Sequence, residues 1–451
     1  MKRTKREMTD TANGVPAKEQ WCLPLDVMQR VALFLEDSRT FFNYLEAFRS
    51  HLHGLGCLRH FVDLAASTPV CDLWPQLKLH HLDATKLAPF KPILSCFTAI
   101  HVRKTYDLDL LGEIVEHDSE RHVLHLLDMP NQIDLKMPIE EWYKALLPLP
   151  IIGLTWTTNG AIHSPNAIWT FMDTIPRMDH LKWLNLDHAR LLSLDPLMQF
   201  IGGSRLTRVS LKHMRIMRHN AWNFDLNGMA PVMTHLFVAH LHNWLQHAPV
   251  THWSMAGWDS DCDTSCLNQL VATTTTLEHV DMHQSFRLLF SFHQSLTELD
   301  PLPMAYLDLS SCSLDACDIL GLFLALCYSN VKHLNIGNNH FRDDGCVHIA
   351  EYLSTTQLVH LDMSSAGITD VGAIALANAI NDLPTLSSLV LDDNKIHMAA
   401  AIALVEMMKP ETESSDRSMH LSLVNNAMEE AHVDRLARKI GRLRPSLTVN
   451  L

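Results

Sequence analysis

One six-residue pattern, L-x-x-L-x-L, returns along this chain and restricts what it can fold into. With its second Leu as a marker, the pattern falls at Leu307, Leu334, Leu361, Leu389, Leu421 and Val449, in steps of 27, 27, 28, 32 and 28 residues. A second pattern keeps phase with it. Apolar quartets at i, i+3, i+4, i+7 begin 12 residues after each of the first five markers. They are Ile319/Leu322/Phe323/Leu326, Cys346/Ile349/Ala350/Leu353, Ala373/Leu376/Ala377/Ile380, Ala401/Leu404/Val405/Met408 and Val433/Leu436/Ala437/Ile440. Alternation in the first pattern predicts a strand, and each quartet predicts a helix with one apolar stripe. A lone strand and helix cannot enclose a core, so units of this kind must stack and bury each other's Leu rows.

The template persists upstream with more wear. Leu154, Leu184, Val209, Leu236, Trp253 and Val280 carry the marker, and Leu77, Ile100 and Leu124 fit more weakly. Leu236 and Trp253 are 17 residues apart, too close for a unit that holds a helix. Either one of them is not a marker or that unit lacks its helix. The final stretch, "SLTVNL", reads as a bare strand that closes the sheet edge.

After the strand comes an Asn, present as Asn339, Asn394 and Asn426, with Cys312 and Ala366 in its place elsewhere. These residues resemble leucine-rich repeats of the long, ribonuclease-inhibitor type. The resemblance implies an α/β horseshoe with a parallel sheet inside and helices outside. It also implies that the Asn side chain satisfies backbone groups where the chain leaves the strand, a task Ala366 must leave to others.

Before the repeats, "LPLDVMQRVALFLEDSRTFFNYLEAFRS" (23–50) holds two amphipathic elements. Pro24 suits a helix start. Val27, Met28, Val31 and Leu35 form one face, "EDSRT" interrupts, and Phe41, Phe42, Leu45 and Phe48 begin a second element. The segment resembles an F-box, although "EAFRS" stands where that family ends in Ser-Lys-x-Trp. The resemblance implies docking on a Skp-type adaptor of a cullin ubiquitin ligase, through Leu23, Pro24, Val27, Val31 and Leu35. A plain cap over the first repeat is the competing reading.

In L-x-x-L-x-L the Leu positions face the core, so positions three and five face the open side of the sheet. Position three reads Trp183, Arg208, His235, His252, His279, Tyr306, His333, His360, Ser388 and His420. Position five reads Asn185, Ser210, Phe237, Ser254, Asp281, Asp308, Asn335, Asp362, Val390 and Ser422. In a parallel, in-register sheet each column is a ladder with rungs about 4.8 Å apart. The expected partner-binding residues are His279, Asp281, Tyr306, Asp308, His333, Asn335, His360 and Asp362. Simple stacking of tolerated polar rings competes with that reading. If the carboxylates favour imidazolium, binding is expected to vary between about pH 5 and 7.

A net charge of -14 argues against a general nucleic-acid surface, which needs a cationic face. No apolar run is long enough for a membrane span or follows the basic start as a signal would. The ten cysteines form no C-x-x-C pair and read as reduced. H-E-x-x-H, G-x-S-x-G and the phosphate-loop motifs are lacking, so no cofactor, metal or catalytic residue is expected. The expected division is a disordered basic tail (1–20), F-box-like or capping helices (21–66), irregular repeats (67–300) and regular repeats (301–451). The expected function is substrate recognition in a cytoplasmic or nuclear ubiquitin ligase, through protein partners. A regulator resembling Ran-type GTPase activators is the alternative; those lack an F-box-like start and usually carry an acidic tail.

Overall fold

The computed structural model describes residues 24–116, 122–157, 164–217, 219–220, 223–224, 229–285, 301–380, 385–407, 419–428 and 447–450. Leu23, the tail at 1–20, Met408 and the quartet beginning at Val433 lie outside them. The chain divides into two compact units: Met1–Lys78 with Ala84–Phe97, and Leu79–Asp83 with Thr98–Leu451.

The first unit is helical. Its first helix, Leu25–Leu33, starts from Pro24, which sits at the cap position outside the first turn. The Pro24 carbonyl accepts the N–H groups of Val27 and Met28. The second helix, Ser38–Ala47, is capped by Asp37, whose carboxylate accepts the Thr40 N–H at 2.8 Å. The core is aromatic: Phe41 stacks on Trp74 at 4.3 Å, and Phe61 meets both rings edge-on. The expected single apolar face of the first helix is split. Met28 and Ala32 are buried, Val27 and Leu35 are half-buried, and Val31 turns to solvent.

The second unit is the α/β repeat array. Among the described residues, fourteen strands form one sheet. From Ala99–Arg103 onward each strand pairs in parallel with the next. Leu184, Val209, Trp253, Val280, Leu307, Leu334, Leu361, Leu389, Leu421 and Val449 lie in one register row. All but Val449 are buried. The helices Ala316–Leu326, Arg342–Tyr352, Asp370–Ile380 and Met398–Met407 pack on one another in turn. Their quartets point inward as the spacing requires, with Ala350 half-buried and the other described members buried. Each buried Leu contributes about 1.5–3 kcal/mol, so the Leu rows and helix stripes hold the array together.

Two expectations are corrected. Leu236 is not a strand marker: His235–His247 is a helix that buries Phe237, Val238, Leu241, Trp244 and Leu245. The strand Arg208–Lys212 pairs directly with His252–Ser254, so no rung of the ladder lies between them. His235 and Phe237 therefore leave the columns. The second correction is one of phase. The register shifts between Leu124 and His125, so that Leu126, not Leu124, faces Leu154.

The Asn ladder acts between neighbouring units. Asn339 Oδ1 accepts the N–H groups of Cys312 and Leu314 at 3.0 and 2.9 Å, and its amide donates to the Leu309 and Ile336 carbonyls. Asn394 does the same for Ala366 and Ile368, both at 3.0 Å. The turn at Ala366, which has no Asn of its own, is thus held from the following unit.

Candidate functional site

The register shift lengthens the third-position column. His101 pairs with His125, His125 with Gly153, and Gly153 with Trp183. The file therefore begins at His101, well before Trp183. His125 and Trp183 meet edge-on at 5.0 Å although Gly153 lies between them in the ladder. Gly153 allows this: a Cβ there would lie 2.5 Å from the His125 ring. The Arg208 guanidinium then covers Trp183 at 4.6 Å, a cation–π contact.

Beyond Arg208 the rings continue. His252 and His279 stack at 5.3 Å, and His279 lies on Tyr306 at 4.1 Å with only 9° between planes. Tyr306 to His333 is 6.4 Å, and His333 to His360 is 6.0 Å. The file changes from stacking to hydrogen bonding at its end. His360 Nδ1 meets Ser388 Oγ at 2.8 Å, and Asn450 Nδ2 meets His420 Nε2 at 3.1 Å. His333 is exposed, and His252, His279, Tyr306 and His360 are half-buried.

Burial sets the charge of these rings. It pushes His252 down to about 4, helped by Arg208 and His279, and pushes His125 down to about 3, helped by His101 and Arg208. Burial also lowers His279 and His360, outweighing the pull of Asp281 on the first and Asp362 on the second. The ordinary imidazole value is about 6.5. These rings are therefore neutral at pH 7, and His252 and His125 take up their protons only below the expected window of 5 to 7. The Tyr306 hydroxyl is pushed up to about 12 by burial and by Asp308 and Asp281, so it remains a donor.

The fifth-position residues are more structural than an open acidic file would be. Asp281 and Asp308 are buried, and Asn335 and Asp362 are half-buried. Asp308 accepts the N–H of Ser310 at 2.9 Å and its hydroxyl at 2.7 Å, and Asp362 holds Ser364 in the same way at 2.9 and 2.6 Å. Asn335 donates to Asp308 at 3.1 Å and accepts the Gly337 N–H at 3.0 Å. These side chains close the turns that leave the strands. Asp281 likewise accepts the His283 N–H, at 3.2 Å, and also takes the Lys212 ammonium and His283 Nδ1. Burial alone would raise the Asp281 carboxyl, but those two partners outweigh it and hold it far below the usual range.

Residues just past the strand ends form a polar cluster that sequence reasoning missed. His188 and His213 both approach Asp187, at 2.8 and 3.3 Å, and His213 Nε2 meets His283 Nε2 at 3.1 Å. Among the described residues two groups bring three potential metal ligands together, Asp187/His188/His213 and Asp281/His283/Asp308. No sequence motif links them, because His213 and His283 come from different repeats. Their shared place, just after a marker strand, was the available signal.

Residues 329–350 and 356–377 match the family model described as Leucine Rich repeat. The chain carries leucine-rich repeats. With the parallel sheet and alternating helices, it is an α/β leucine-rich-repeat solenoid. A comparison with curated proteins gives no match. Similar solved structures include the Rad7 and Elc1 complex in yeast, at 14% identity and TM-score 0.43, covering 91% of this chain and 96% of that one. An internalin, InlF from Listeria monocytogenes, is 14% identical with TM-score 0.31, covering 61% and 82%. Actin-binding site 2 of Leiomodin-1 is 18% identical with TM-score 0.27, covering 35% and 92%. Likeness this weak says nothing about what the leucine-rich-repeat chain binds. No described helix is long and apolar enough to cross a membrane.

Proposed function

We propose that this leucine-rich-repeat chain is a protein-binding adaptor that holds its partner on the open face of the sheet. One observation carries the reading. From His252 to His360, five rings from successive strands stand in file and reach solvent. Rings held on paired strands offer contact area that loses little freedom on binding, and such anchors dominate protein interfaces. His279, Tyr306, His333 and His360 are the contact residues in this reading, while Asp281, Asp308, Asn335 and Asp362 shape the ground beneath them.

The finer reading is an adaptor of a Skp-cullin-F-box-type ubiquitin ligase. It rests on the F-box-like sequence and on the first helix, whose end leaves Val31, Leu33 and Phe34 39%, 43% and 81% exposed. Such an apolar cluster at a helix end suits a hydrophobic groove on a Skp-type adaptor. Two variants of the full chain test the two arms separately. Val31→Glu/Phe34→Glu should lose co-purification with a Skp-type adaptor, and retention of the adaptor removes the ligase arm. Tyr306→Ala/His333→Ala should lose the other captured proteins in a pull-down read by mass spectrometry. A partner set equal to wild type removes the sheet-face arm. Exposed substitutions change stability by about 0.5 kcal/mol or less, so loss of binding is readable at Val31 and Phe34.

A further inference from the structure

The cluster beyond the strand ends contains a continuous chain of four groups: Asp187, His213, His283 and Asp281. Asp187 Oδ1 lies 3.3 Å from His213 Nδ1. His213 Nε2 lies 3.1 Å from His283 Nε2, and His283 Nδ1 lies 2.6 Å from Asp281 Oδ1. Each end of the chain is an acceptor, because a carboxylate carries no proton. Each of the three contacts needs a proton or another cation between its atoms. Two neutral imidazoles bring only two protons. With both placed on Nδ1, facing the carboxylates, two Nε2 lone pairs point at each other across 3.1 Å. The arrangement has a seat for one further positive charge.

The spacing of the two Nε2 atoms is close to that of two ligands on one zinc ion. Zinc binds imidazole nitrogen at about 2.0–2.1 Å in tetrahedral geometry, which places two such nitrogens about 3.3 Å apart. Both rings also have the outer partner typical of zinc-bound histidine, a carboxylate on the remaining nitrogen. The backbone is built for the approach. His213 follows Arg208–Lys212 and His283 follows His279–Asp281, and the strand His252–Ser254 runs between them. The loop of that middle strand passes Ala256 and Gly257, which carry almost no side chain. Gly257 adopts φ +75°, and a Cβ on it would lie 3.6 Å from His213. The His213 N–H donates to the Ala256 carbonyl, and the Gly257 N–H to the His283 carbonyl, both at 2.9 Å. The side chains of His213 and His283 remain 26% and 20% exposed, so an ion can enter. Lys212 adds a positive charge nearby, bound to the second oxygen of Asp281. The carboxylates of Asp187, Asp281 and Asp308 offset it.

We propose that His213 and His283 bind a zinc ion through their Nε2 atoms, oriented by Asp187 and Asp281. Water, or a side chain of a bound partner, fills the remaining positions. The test titrates ZnCl2 into the chelator-stripped full chain at pH 7.5 by calorimetry. The wild type should bind one zinc more than the double variant His213→Gln/His283→Gln. Asp187→Asn and Asp281→Asn should each weaken that site about 10- to 100-fold. Equal zinc uptake by wild type and double variant overturns the site, because the ion then sits on other histidines. Wild type that binds no zinc also overturns it, and the extra charge is then a proton shared by the two rings. A second readout needs no variant. In the 15N-histidine-labelled wild type, one equivalent of zinc should change the signals of two rings. Changes spread over many rings at that ratio count against the proposal.

Discussion

At the residue scale, Gly153 and His252 show how neighbours fix what a side chain does. Gly153→Ala would place a methyl group 2.5 Å from the His125 ring, which must then leave Trp183. The expected cost is about 1–3 kcal/mol, the usual price of overpacking, read by urea unfolding. Gly112→Ala is the contrast. A Cβ there meets nothing within 4 Å, inside the helix Leu108–Val115, so the change should stabilise by about 0.5–1 kcal/mol. For His252 the sign of the pH effect follows from the direction of its shift. Its folded value, about 4, lies below the unfolded value of about 6.5, so the unfolded chain takes up the proton first. Its contribution to stability is therefore lost as pH falls from about 6.5 toward 4. His283 runs the other way. Its hydrogen bond to Asp281 raises it, so its contribution is present at low pH and is lost as pH rises through the folded value. An NMR titration should give a His252 midpoint near 4, and a midpoint near 6.5 would show that ring free in solvent. The letters His, Tyr and Asp were legible in the sequence, but their burial and charge were not, because these depend on neighbours tens of residues away.

At the element scale, the repeat unit is held by its Asn as much as by its Leu. Asn394 serves the N–H groups of Ala366 and Ile368 and the carbonyls of Met363 and Leu391. Asn394→Ala strands these groups away from water, and a loss of about 2–4 kcal/mol is expected in chemical denaturation. A loss below about 0.5 kcal/mol would mean that water replaces the amide. The same scale explains where the template misled. "MTHLFV" (233–238) fits the strand template by coincidence, yet Phe237, Leu241 and Trp244 recur at helical spacing, and Thr234 caps the helix through a 3.3 Å bond to the Phe237 N–H. A period of 3.6 sustained over thirteen residues outweighs one match to a six-residue strand pattern. The split face of Leu25–Leu33 has a similar lesson. Spacing marks which residues share a stripe, but what packs against it decides which are buried.

At the scale of the whole molecule, a solenoid's stability is a sum over units and their interfaces, so its parts need not unfold together. All ten tryptophans lie between Trp21 and Trp258, and none lies in the later repeats. Leu361→Ala removes a fully buried side chain from those repeats, at an expected cost of about 2–5 kcal/mol. The far-UV circular dichroism transition should then move to lower denaturant while the tryptophan fluorescence transition stays in place. Both moving together would show that the array unfolds as one cooperative body. The sequence by itself determined the period, the helix that follows each strand from Tyr306–Asp308 to Ser388–Val390, and the row from Leu154 to Val449 apart from Leu236, because burial of a Leu row demands its spacing locally. Tertiary structure alone decided the phase before Leu154, where the shift beside His125 brings His101 and His125 into the file. It alone joined His213 to His283 across an intervening strand. Spacing along a chain records what must be buried together, whereas register and the meeting of loops depend on how strands settle against one another in space.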